Sequence, residues 1–169
     1  HQLLAQDAAW RLICVGDELA DGVSGYKAQV LEECARLGLN DVVKFIGHRR
    51  DVIELIGSSD LLLVTSLREG FPNVVLEAMA AGTPVVSTDY SDVRRILPDA
   101  RQVVESRSAP ALADAIRHCR GIGVELSAKQ RAWVQQHCTV AASTLAMLNV
   151  YRDHTDAMEL QCGAHSPDN

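Results

Sequence analysis

The chain has 169 residues, 47% of them hydrophobic, enough for one well-buried domain with no room for two. A net charge of −6, a pI near 5.4 and 4% aromatic residues exclude a large nucleic-acid footprint and a stacking platform for single strands. Five scattered cysteines (Cys14, Cys34, Cys119, Cys138, Cys162) form no CxxC pair, so they read as reduced thiols of a cytoplasmic protein, not as a disulfide frame or a zinc site.

In chain order, Leu3, Leu4 and Ala5 look like the last turns of a helix whose start is absent. Residues 11–15 form a continuous apolar run ending at Gly16-Asp17, which predicts a short strand. An amphipathic helix follows over 24–37, with Val30, Leu31, Cys34 and Leu37 on one face and Gly38 as its left-handed cap. Residues 42–46 read as a strand closed by Gly47, with His48-Arg49-Arg50 as its loop and Asp51 capping a short helix through Ile56.

Residues 60–88 hold the densest signal. The apolar run 61–64 ends at Thr65-Ser66 and gives way to Arg68-Glu69-Gly70; a helical pattern starts at Pro72 or Asn73 and stops at Gly82. Thr83-Pro84 then breaks the chain before Val85-Val86 opens another strand. Strand, loop, helix and strand in that order predict a right-handed βαβ unit. Beyond Thr88 come a short helix ending before Pro98, a strand over 102–104, and a helix over 111–119 with Ser108 as N-cap and Pro110 in its first turn. The helical pattern from Glu125 breaks near Cys138-Thr139 and runs to about Leu160. The expected fold is α/β: a Rossmann-like, doubly wound parallel sheet of about five strands, one domain over 1–160 and a polar tail over 161–169. No apolar run approaches a membrane span, and no signal-peptide pattern opens the chain.

In open parallel sheets ligands bind at the carboxyl rim, where a helix N-terminus offers unpaired N–H groups to an anion. Gly70 lets backbone amides approach a pyrophosphate closely, since no Cβ intervenes. Glu77, about one turn into the helix, can reach back to the hydroxyls of a ribose diol, and Glu69 lies nearer the mouth. Two glutamates eight apart are a weak signal alone, and Glu77 in isolation reads first as a solvated helix face. The context of strand end, glycine loop and helix start in one unit favours the ligand.

That unit, with Glu69-Gly70-Phe71-Pro72-Asn73-Val74-Val75-Leu76-Glu77 as an E-x7-E motif followed by Gly82-Thr83-Pro84, resembles the carboxy-terminal half of GT-B glycosyltransferases, particularly family 4. Leu12-Ile13-Cys14-Val15-Gly16-Asp17 and Val43-Lys44-Phe45-Ile46-Gly47 fall where that family has its preceding strands. The resemblance implies a donor-binding domain of a retaining, hexosyltransferase-type enzyme of glycan or polysaccharide synthesis, using a nucleotide-diphosphate sugar as co-substrate without a cofactor or essential metal. Glu69 would carry the catalytic role, meeting the donor sugar and placing its anomeric carbon. The backbone of Gly70, Phe71, Pro72 and Asn73 would cradle the distal phosphate and sugar, Glu77 would hold the ribose, and Gly16, Gly47, His48 and Arg49 would border the nucleotide. His48 by itself reads as a solvated loop residue, and Arg49 and Arg50 as surface charges.

The resemblance also marks what this sequence lacks. The family's first strand and helix, carrying an arginine and a lysine for the diphosphate, have no counterpart here, nor does the amino-terminal acceptor domain. The expectation is a GT-B half truncated at its N-terminal edge, exposing a sheet edge or apolar patch and inactive alone. Its last helix would cross toward the absent domain, and the full-length protein could meet a membrane peripherally. Tyr90-Ser91-Asp92 stands where the family often has a glycine pair, and Arg95 where it often has glutamate. A non-catalytic nucleotide-sugar-binding module is the alternative. An epimerase or dinucleotide oxidoreductase is disfavoured because no G-x-G-x-x-G follows a strand.

Overall fold

A computed structural model of the chain describes residues 1–5, 7–17, 25–68, 70–105 and 108–163, with side chains as far as 152. Strands and helices alternate: β1 (Leu12–Cys14), α1 (Tyr26–Arg36), β2 (Val43–Phe45), α2 (Val52–Gly57), β3 (Leu62–Val64), α3 (Asn73–Ala81), β4 (Val85–Thr88), α4 (Val93–Ile96), β5 (Val103–Val104), α5 (Ala109–Gly121), α6 (Gly123–His137) and α7 (Val140–Gly163). Every ladder is parallel. This is the expected α/β architecture.

The strands are not joined in one hydrogen-bonded sheet. β1 pairs only with β2, Leu12 opposite Val43, while β4 lies between β3 and β5, with Leu62 opposite Val85 and Ser87 opposite Val103. The connection from β2 to β3 runs through α2, which packs on α3. No ladder among the described residues crosses from one group to the other, so β1 and β3 each keep an unpaired edge. On β1, Leu12 is 44% and Ile13 50% exposed.

The core gathers on the three-stranded group. Val75, Ala78 and Met79 of α3, Val85 and Val86 of β4, and Leu126 of α6 have no exposed surface. α3 stops at Gly82, whose φ of +81° is a left-handed cap that favours glycine. A second device acts there. Arg131 of α6 donates from Nη2 to the Ala81 carbonyl at 2.8 Å, placing a cation at the negative end of α3. Its guanidinium lies 2.2 Å from where a Cβ on Gly82 would stand.

Three local expectations are corrected. Asp51 precedes α2 but makes no capping bond, because its carboxylate is held by Arg49. Gln102 opens no strand; residues 100–102 form a 3-10 turn, and the Gln102 side chain donates to the Val85 carbonyl at 2.8 Å. Helix α7 continues to Gly163, past the expected start of the polar tail. Near the start of the chain the Ala5 amide donates to the His1 carbonyl and the Asp7 amide to the Leu3 carbonyl. Ser108 caps α5 as predicted, accepting from the Ala111 amide.

Candidate donor site

The turn Gly70–Asn73 leaves the end of β3 and enters α3. Pro72 is buried and holds the N-cap position, from which its carbonyl accepts from the Val75 amide at 3.0 Å. Among the described residues no side chain caps the first turn, although the Asn73 amide donates to the Phe71 carbonyl at 2.9 Å. Phe71 is 59% exposed beside it. A Cβ on Gly70 would meet nothing within 4 Å, leaving its backbone open to close approach.

Glu77 projects from α3 as an exposed side chain, with no hydrogen bond or ion pair among the described residues. The helix around it is otherwise committed to the core through Val75, Ala78 and Met79. Periodicity thus separates the one carboxylate from the apolar face. Glu69, assigned the catalytic role from sequence, lies outside the described residues.

Ser66 and Gly70 are both fastened to the end of the next strand and the loop after it. Thr88, the last residue of β4, donates from Oγ1 to the Ser66 carbonyl at 2.6 Å, and Ser91 donates from Oγ to the Gly70 carbonyl at 3.1 Å. Arg94 braces the same β4 loop by pairing with Asp89 and Glu105, each at 2.9 Å. These contacts were not legible in the sequence: one hydroxyl in a polar loop looks like any other.

Gly16 and Gly47 form a second small cluster. They close the ends of β1 and β2 with the Gly16 amide donating to the Gly47 carbonyl at 2.8 Å. Their φ values of +108° and +67° favour glycine, and no neighbour fills the space above either. His48 is exposed beside them. The Arg49 guanidinium is engaged by Asp51 through Nε and Nη2 at 2.8 and 2.7 Å and holds that carboxyl below the usual carboxylate range. Asp17 pairs with Lys27 at 2.8 Å. No hydrogen bond among the described residues joins this cluster to the Gly70 turn.

Two shallow clefts among the described residues lie elsewhere, one of about 360 Å³ at Leu3, Asp7, Trp10 and Arg120, the other of about 630 Å³ between β5 and α5. Neither contains a residue of the predicted site. No helix among the described residues is long and apolar enough to cross a membrane.

Comparison with known proteins completes the picture. The family described as "Glycosyl transferases group 1" matches residues 1–120. The D-inositol 3-phosphate glycosyltransferase of Corynebacterium aurimucosum is 30% identical over 164 residues, 90% of this chain and 38% of that protein. The N-acetyl-alpha-D-glucosaminyl L-malate synthase of Bacillus anthracis is 37% identical over 68 residues, 40% of this chain and 18% of that protein. Among solved structures, Anabaena Alr3699/HepE in complex with UDP superposes with a TM-score of 0.78 at 27% identity, over 89% of this chain and 43% of that one. Sucrose-phosphate synthase from Thermosynechococcus elongatus gives 0.74 at 25%, over 92% and 41%. This chain therefore spans well under half the length of each of these relatives.

Proposed function

Because this chain belongs to the group 1 glycosyl transferases, with the fold of a GT-B carboxy-terminal half, we propose that it is the donor-binding part of a retaining hexosyltransferase acting in glycan or polysaccharide synthesis. Its co-substrate is a nucleotide-diphosphate sugar. Glu77 carries the reading: an exposed carboxylate without a partner among the described residues, on a helix whose first turn no side chain caps. The Anabaena HepE structures in complex with UDP and with UDP-glucose support the same ligand class.

Each group then has a task its chemistry suits. Glu77 accepts hydrogen bonds from the ribose hydroxyls. The Gly70–Asn73 backbone and the positive end of α3 hold the diphosphate as it becomes the leaving group, charge stabilisation that needs no metal from this chain. Glu69 orients the sugar and its anomeric carbon. The glycine turns at Gly16 and Gly47, with the backbone of His48 and Arg49, border the base. Sugar transfer is assigned to this part acting with an acceptor-binding domain; transfer by the 169 residues alone would overturn that division.

Calorimetric titration with UDP, GDP and ADP tests the site. Glu77→Ala is expected to lose about 1.5–3 kcal/mol of nucleotide affinity, the worth of hydrogen bonds to a charged acceptor. Glu69→Ala should weaken only the sugar-bearing ligand. Equal losses from both variants for free diphosphate would refute the division of roles.

A further inference from the structure

Among the described residues, Ser91 alone has a positive φ, +47°, without being glycine. A Cβ opposes that left-handed conformation, and it persists only where the surroundings over-determine it. The preceding residue supplies the constraint from below: Tyr90 is 6% exposed and belongs to the core cluster with Val93, whose amide donates to the Tyr90 carbonyl at 3.2 Å. From above, the Ser91 hydroxyl reaches across to the Gly70 carbonyl at 3.1 Å. Thr88, anchored in β4, holds the start of the same loop through Ser66.

We propose that Ser91 is a positioning residue of the donor site, a latch that fixes the Gly70–Phe71 peptide. Gly70 has no side chain and no neighbour within 4 Å of a would-be Cβ, so packing does not hold it. The latch supplies what packing does not. A trans peptide is planar, so turning the Gly70 carbonyl toward Ser91 directs the Phe71 N–H the opposite way. The direction of a diphosphate-binding amide is thus set by a residue of the next loop. This role rests on the donor-site reading above.

Two substitutions separate the latch from a merely structural role. In Ser91→Gly the backbone conformation becomes easy and the hydroxyl is lost. The melting temperature should stay level or rise, while amide exchange at Gly70, Phe71 and Asn73 quickens and UDP affinity falls, each by about 2- to 10-fold, the range of an ordinary hydrogen bond. Ser91→Asn should restore both, since asparagine tolerates the left-handed region and presents an amide donor. Unchanged exchange in Ser91→Gly, or quickened exchange with unchanged UDP affinity, would overturn the proposal. If the unaltered chain bound none of UDP, GDP and ADP, the donor-site reading would fail, while exchange would still decide whether the bond holds the turn.

Discussion

The two groups of strands are written in similar residues and end in opposite environments. In the three-stranded group, Val85 and Val86 of β4 are wholly buried between α3, α5 and α6. In the two-stranded group, Leu12 and Ile13 of β1 are about half exposed, as is Ile53 just beyond. An apolar run states what a strand can bury, not what arrives to cover it. Here the cover comes late in the chain: α6 packs on α3, and α5 on β4 and β5, whereas β1 packs chiefly on β2. The candidate donor turn grows from the well-supported group, whereas Gly16 and Gly47 grow from the other.

That contrast predicts a gradient of mutational cost. Met79→Ala, at a fully buried position on α3, should destabilise by about 2–5 kcal/mol, the usual range for a large core residue cut to alanine. Next come two glycines of like backbone and unlike surroundings. Gly82→Ala meets both a φ of +81° and the Arg131 guanidinium, so strain adds to the lost Ala81 bond, about 2–3 kcal/mol together. Gly47→Ala has the same kind of φ but open space, and should cost only the strain, about 1–2 kcal/mol. Urea midpoints measured on all three would order them; Gly47→Ala costing as much as Gly82→Ala would mean that Arg131 contributes nothing.

The bounds of α3 were legible because Pro72 and Gly82 act locally, one by its ring and the other by its missing Cβ. The exposure of Glu77 was legible for a related reason, as the one charge in an apolar helix. The division of the strands was not, since pairing depends on which edges meet, and no residue of β1 encodes its neighbour. Asp51 and Gln102 were misread because each found a partner off the local pattern: Arg49 took the first, and the Val85 carbonyl the second. The Ser91 bond spans loops 21 residues apart, and only the folded chain brings them together.

Asp99 offers a finer probe of the well-supported side. Its carboxylate accepts from the Arg101 amide at 2.9 Å and meets His118 Nε2 at 3.1 Å, fastening the 3-10 turn before β5 to α5. Partial burial works to raise its pKa, but the Arg101 amide, the His118 ring and nearby positive charge prevail and hold it below the ordinary value of 3.8. A depressed folded pKa contributes stability above the unfolded value and loses it as pH falls through the folded one, because the unfolded chain then binds more protons. Stability should therefore decline as pH drops below 3.8, and Asp99→Asn should flatten that decline while costing about 1 kcal/mol or less at neutral pH. An unaltered acid slope in the variant would assign the decline to other carboxylates.

Ile13→Ala should have the smallest effect, and it tests the comparison most directly. The side chain is 50% exposed, so truncation returns only part of a buried isoleucine's transfer free energy and leaves no closed cavity. The expected cost is under about 1 kcal/mol, in the range of surface substitutions. Amide exchange would show whether the two groups unfold together. If they are separable, amides of β1 and β2 should exchange at a lower opening free energy than those of β4, and Ile13→Ala should lower theirs while leaving β4 unchanged. Equal protection of both groups, with Ile13→Ala lowering the two alike, would mean that the α2–α3 contact makes them one cooperative unit despite the missing ladder.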